Sequence, residues 1–194
     1  MLRTTLRAAC LGLTLIGWTG AANADSPSNP GFETGALNPW IGSGALVDSA
    51  FPHAGIYDAA LSTVSNGPAA TLSQAVPTVP GSAYLLNLFL LDQAVSPFDT
   101  FTVSFGGFSA TVTGDAAFDG STVNNYAAQS FAIPGSAITA ATTTLLFSAV
   151  NPNAAFNVDD VVLLPVVRAV PEPAGLAALL SGLVGLWAAR RRRV

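Results

Sequence analysis

The chain has 194 residues, 51% of them apolar and only 9% charged, with a formal net charge of −4. That length holds one domain of ordinary size plus terminal signals. Its basic residues are all arginine: Arg3 and Arg7 at the front, Arg168 and Arg190 to Arg193 at the back, with none between. The stretch between carries Asp25, Glu33, Asp48, Asp58, Asp92, Asp99, Asp115, Asp119, Asp159 and Asp160. Such a domain repels phosphate backbones, which excludes nucleic acid as a partner. It has no lysine or arginine to pair with its acids, which leaves solvent, counterions or a bound hard cation to neutralise them.

In chain order, Arg3 and Arg7 form a positive start, "AACLGLTLIGW" is a short apolar run, and "ANA" at 22–24 is a small-x-small cleavage pattern. This is the grammar of a secretory signal peptide, with cleavage expected after Ala24. Cys10, the single cysteine, lies inside that segment. The mature protein would then have no thiol for disulfides, catalysis or metal binding.

From 25 to 165 the pattern is all-β. Short runs of Val, Thr, Phe, Leu and Ala alternate with Gly, Pro, Asn and Asp. Strands are expected near 43–48, 56–63, 69–76, 82–91, 99–105, 107–113, 126–133, 142–150 and 156–165. "ATLSQAV" and "FTVSFGG" alternate with period two, whereas "SAYLLNLFLL" and "TTTLLFSAV" are more continuously apolar, as central strands are. Pro68, Pro77, Pro80, Pro97, Pro134 and Pro152 fall between these runs, and no segment reads as an amphipathic helix. The expected fold class is all-β: a two-sheet antiparallel β-sandwich, jelly-roll-like, with an N-terminal signal helix and one C-terminal transmembrane helix.

The tail, 166–194, has its own composition. Residues 174–189, "AGLAALLSGLVGLWAA", carry no charge. As a helix they span about 24 Å, short but serviceable against a hydrocarbon core of about 30 Å. Trp187 takes an interfacial position, and Arg190, Arg191, Arg192 and Arg193 can reach phosphate headgroups and mark the cytoplasmic end, 190–194. Pro171 and Pro173 keep the helix from extending toward the domain.

"VPEP" at 170–173, the apolar helix and the terminal arginines, in that order and behind a signal peptide, resemble the PEP-CTERM sorting signal. The resemblance implies that Pro171, Glu172 and Pro173 are the motif recognised by an exosortase, an integral-membrane peptidase. It also implies that the protein is a substrate of that enzyme, exported by the secretion machinery. The chain would be held transiently in the lipid bilayer by its tail with the domain in the periplasm, then moved to the cell surface or exopolysaccharide matrix.

"NPGFETGALNPW" (29–40), "HAGIYDAAL" (53–61), "LSQAVPTVPGSAYLLNLFLL" (72–91) and "AFNVDDVVL" (155–163) resemble, in order, segments of galactose-binding-like jelly rolls, a fold of many carbohydrate-binding modules. In such domains the opening and closing strands lie side by side, often around a structural calcium. The resemblance therefore implies Glu33, Asp159 and Asp160 as calcium ligands, with a fastening role. The alternative is that Glu33 faces solvent and Asp159–Asp160 is an ordinary strand entry.

Catalysis is not expected. The domain's single histidine, His53, sits in "FPHAG", which matches no nucleophile elbow or HExxH helix. For sugar contact, exposed rings and amides are wanted. Phe98, Asn125 and Tyr126 stand in loop contexts, whereas Tyr84 reads as core and Trp40 as packed on the sandwich edge. The expectation is thus a non-enzymatic exported surface or exopolysaccharide-matrix protein, processed at its tail. A carbohydrate-binding module recognising extracellular polysaccharide is the alternative.

Overall fold

The computed structural model describes residues 26–63, 67–94, 96–113 and 126–166. The expected signal helix and transmembrane helix, Asn125, and the tail residues Pro171, Glu172, Pro173, Trp187 and Arg190 to Arg193 lie outside the described residues. Among the described residues no helix is long and apolar enough to cross a membrane.

Among the described residues ten strands form two five-stranded sheets. They are β1 (Ile41–Ser43), β2 (Ala45–Asp48), β3 (Asp58–Ser62), β4 (Ala70–Pro77), β5 (Tyr84–Asp92), β6 (Thr100–Phe105), β7 (Phe108–Thr113), β8 (Ala127–Ile133), β9 (Thr142–Val150) and β10 (Ala155–Pro165). The first sheet runs β1-β4-β9-β6-β7 and the second β2-β3-β10-β5-β8; every pairing is antiparallel. This is the all-β sandwich expected from the sequence.

The two apolar runs take inner positions. β9 is central in the first sheet, and β5 lies between β10 and β8 in the second. Along β9, Leu145, Phe147 and Ala149 point inward and are buried while Thr144 and Val150 are exposed, the alternation of a strand with one solvated face. In β5, Tyr84, Leu86, Leu88 and Leu90 fill the core, and Phe89 on the opposite face lies beneath the His53 ring.

The expected strand at 43–48 is divided. β1 pairs with β4 in the first sheet and β2 with β3 in the second, so the chain changes sheets at Gly44. Gly44 has φ +68, and a Cβ there would lie 2.9 Å from the Ser62 carbonyl oxygen. Only glycine makes this crossing without strain. Trp40 also differs from expectation. It is in the core, not at the edge, stacked on Phe147 with centroids 5.7 Å apart and 5.8 Å from Phe32, and its Nε1 donates to the Asn29 carbonyl at 3.1 Å. Tyr84 is core, as expected.

The two ends of the described chain lie at one pole. Ser26 Oγ donates to the Leu163 carbonyl at 3.2 Å, Val161 N to the Pro30 carbonyl at 3.0 Å, and Val166 N to the Ala83 carbonyl at 2.8 Å. The end of β5, the start of β6 and the end of β9 lie at the other pole.

Candidate functional site

The outer face of the second sheet carries acids in neighbouring positions. Asp48 pairs with Asp58, and Asp159 lies one step beyond the Val158–Ala59 pair, opposite Asp58. A bulge follows in β10, where the register against β5 shifts between Asp159 and Val162, and Asp160 takes φ +50. That extra residue turns Asp160 out of the alternation, so that two consecutive aspartates serve the same place.

The 49–57 loop folds across this face and is fastened by carboxylates. Asp159 Oδ2 accepts from His53 N at 3.0 Å and Ala54 N at 3.1 Å, and Asp159 Oδ1 accepts from Asp160 N at 2.7 Å. Glu33 Oε1 accepts from Tyr57 N at 3.0 Å, and both its oxygens lie within 3.1 Å of Ile56 N. His53 Nδ1 is 2.8 Å from Asp160 Oδ2; its ring stacks on Phe89 at 3.6 Å and meets Tyr126 edge-on at 5.2 Å. The Tyr126 hydroxyl sits 2.7 Å from both Asp58 Oδ2 and the Phe51 carbonyl, and Asn157 Nδ2 donates to Asp58 Oδ2 at 2.7 Å. Burial pushes Asp159 up to about 6 and raises Asp58.

The structure therefore brings Glu33, Asp159, Asp160 and Tyr126 into one neighbourhood. His53, which no sequence pattern links with Asp160, completes the group of possible metal ligands with Asp159 and Asp160, their ligand atoms within 4.8 Å of one another. Fit to a hard cation is partial. A Cβ on Gly31 would lie 3.4 Å from Asp159 Oδ1 and 3.5 Å from Asp160 Oδ1, so the glycine leaves both oxygens a shared space. Glu33 is committed to backbone amides. Among the described residues no hydroxyl is bonded to the His53 ring.

The first sheet is chemically different. Its five strands contain no charged residue. Register places Ser43, Thr71, Ser148, Thr102 and Thr111 in one row across all five strands of its outer face. The neighbouring row is Ile41, Ser73, Leu146, Ser104 and Ser109, and a third joins Val150, Thr100 and Thr113. Strand geometry spaces such side chains about 4.8 Å between strands and about 6.7 Å along them. Thr102 and Thr111 hydroxyls bond at 2.9 Å. Phe98, 80% exposed, stands just before β6 at the end of this face. The sequence signal was present in "TFTVS" and "SATVT", but which hydroxyls align across strands depends on register that the sequence does not state.

No family model matches the chain, and no curated protein matches it. Solved structures do. A family 61 carbohydrate-binding module in complex with β-1,4-galactotriose is 18% identical, with TM-score 0.53, over 75% of this chain and 100% of its own. The CBM22-1 xylan-binding domain of Paenibacillus barcinonensis Xyn10C is 14% identical, TM-score 0.52, over 77% and 100%. A Stig cyclase from Fischerella sp. TAU is 14% identical, TM-score 0.55, over 75% and 98%. The chain has the jelly-roll sandwich of carbohydrate-binding modules, a fold it also shares with a cyclase.

Proposed function

We propose that this is an exported, non-catalytic polysaccharide-binding domain whose contact surface is the outer face of the first sheet. The observation that carries the reading is that face's uncharged rows of serine and threonine hydroxyls, with exposed Phe98 at their end. Hydroxyls donate and accept toward a neutral glycan, an apolar ring covers its C–H face, and charge would add nothing to the contact. The fold likeness supports it. Tyr126 stands just before β8 of the second sheet, and its hydroxyl is engaged with Asp58, so the contact passes to Phe98.

Native gel electrophoresis tests the proposal. Mobility in gels containing β-1,4-galactan or xylan should fall relative to plain gels, and Phe98→Ala and Thr102→Asp should each restore it. Unchanged mobility of the parent protein across a panel of neutral and acidic polysaccharides would overturn it.

Sorting through the tail rests on the sequence. In this reading polysaccharide binding retains the domain in the matrix after an exosortase has acted at Pro171, Glu172 and Pro173. Intact-mass measurement of exported protein should give an N-terminus at Asp25 and a C-terminus near Pro171; exported material that still ends in Arg190–Val194 would refute processing. We also propose a structural calcium on the outer face of the second sheet. Asp159 and Asp160 would hold it beside Gly31, with Glu33 contributing by fastening the 49–57 loop, and the ion would tie the opening segment to β10.

A further inference from the structure

A second group of acids lies at the opposite pole, between the sheets. Leu90, Phe101 and Ala149 point into the core and are fully buried. Alternation sends Asp92, Asp99 and Asn151, each two residues away, into the same interior. Asp92 is 5% exposed, and Asp99 and Asn151 are 0%. Asp99 lies opposite Asn151, one step beyond the Thr100–Val150 pair. Asn151 Oδ1 accepts from Asn153 N at 3.2 Å and Ala154 N at 2.9 Å, which fixes the amide so that its Nδ2 donates to Asp92 Oδ1 at 2.8 Å. Ala94 N donates to that same oxygen at 3.1 Å. Asp92 Oδ2 and both oxygens of Asp99 are enclosed without a hydrogen-bond partner.

Three orphan carboxylate oxygens in one enclosed place are costly, because a buried charge needs a partner. In most proteins a lysine or arginine would supply it, but none occurs between Arg7 and Arg168. We propose that Asp92 and Asp99 hold a hard divalent cation of the calcium type between the two sheets. Two carboxylates neutralise its charge and supply three free oxygens, and a calcium ion fills the rest of its six to eight positions with backbone carbonyls and water. Asn151 is a positioning residue that turns Asp92 Oδ2 toward the ion. This site is separate from Asp159 and Asp160, which lie on the outer face of the second sheet.

The test uses the full chain, stripped with chelator and titrated with calcium chloride. Bound calcium is counted by equilibrium dialysis, and thermal midpoint is followed in parallel. The wild type should gain several degrees at millimolar calcium. Asp99→Asn and Asp92→Asn should each bind one ion fewer per chain, whereas Asp160→Asn should keep this ion. Asn151→Ala should weaken binding about tenfold without lowering the count at saturation. An Asp99→Asn chain that binds as many ions as wild type, or a wild type that binds none, overturns the proposal. Counting ions keeps the result readable even where a variant is less stable, and a spectrum of folded protein at low temperature confirms that the counted chains are native.

Discussion

The Tyr126 hydroxyl lies 2.7 Å from Asp58 Oδ2, and the same hydroxyl lies 2.7 Å from the Phe51 carbonyl. A phenol has one proton and cannot donate fully to both. Burial raises the proton affinity of Asp58, while the Tyr126 hydroxyl and the Asn157 amide that donate to it pull the other way.

That pair sets a pH dependence. Asp58 holds its proton more tightly folded than unfolded, so its contribution to stability is present below about pH 3.8 and is lost as pH rises through its higher folded value. With chelator present, Asp58→Asn should be as stable as wild type or more so at pH 7 and should lose that advantage near pH 3.5. The difference between the two midpoints should narrow as pH falls through that range. Scanning calorimetry across that range checks it; parallel curves would count against the assignment.

Trp40→Ala removes the indole that packs on Phe147 and Phe32. Deleting a buried aromatic of this size costs about 3–5 kcal/mol, which should lower the thermal midpoint by roughly 10 °C. Chemical denaturation with an unchanged m-value would confirm that the loss is in core packing.

Gly44→Ala and Gly81→Ala both place a side chain on left-handed backbone, at φ +68 and +81. At Gly81 nothing lies within 4 Å of the new Cβ, so the cost should stay near the ~1 kcal/mol of backbone strain. At Gly44 the Cβ also meets Ser62 and Ala70, and the loss should be at least twice as large. Equal losses would refute the role of Gly44 as the crossing point.

Glu33→Ala removes the acceptor that gathers Ile56 N and Tyr57 N. Amide exchange at those two positions should accelerate at least tenfold, while exchange in β5 and β9 stays unchanged. Uniform acceleration would mean that Glu33 supports the whole fold and not one loop.

Much of the sandwich was legible because its strands alternate and its turns carry proline and glycine. The 142–150 run was placed without error as β9, and 107–113 lost only one residue as β7. The 43–48 run was not legible as two strands, since sheet membership on either side of Gly44 is decided by partners far along the chain. Trp40 was misplaced for a related reason: the core it enters is closed by Phe147, more than a hundred residues later. Of the acid group, Glu33, Asp159 and Asp160 were visible in the opening and closing segments. His53 joined them only through a loop that folds back across a sheet. Asp92 and Asp99, just after the 82–91 run and at the start of the 99–105 run, were not singled out, because inward direction at a strand end follows from register and not from residue type.

Ser26 and Val166 emerge together, at the pole opposite Phe98 and Asp99. Anything that moors the molecule by its tail therefore grips it at the root and turns the far tip away from the anchorage. Releasing such a mooring would leave Phe98 undisturbed, since the length of the strands separates it from Val166.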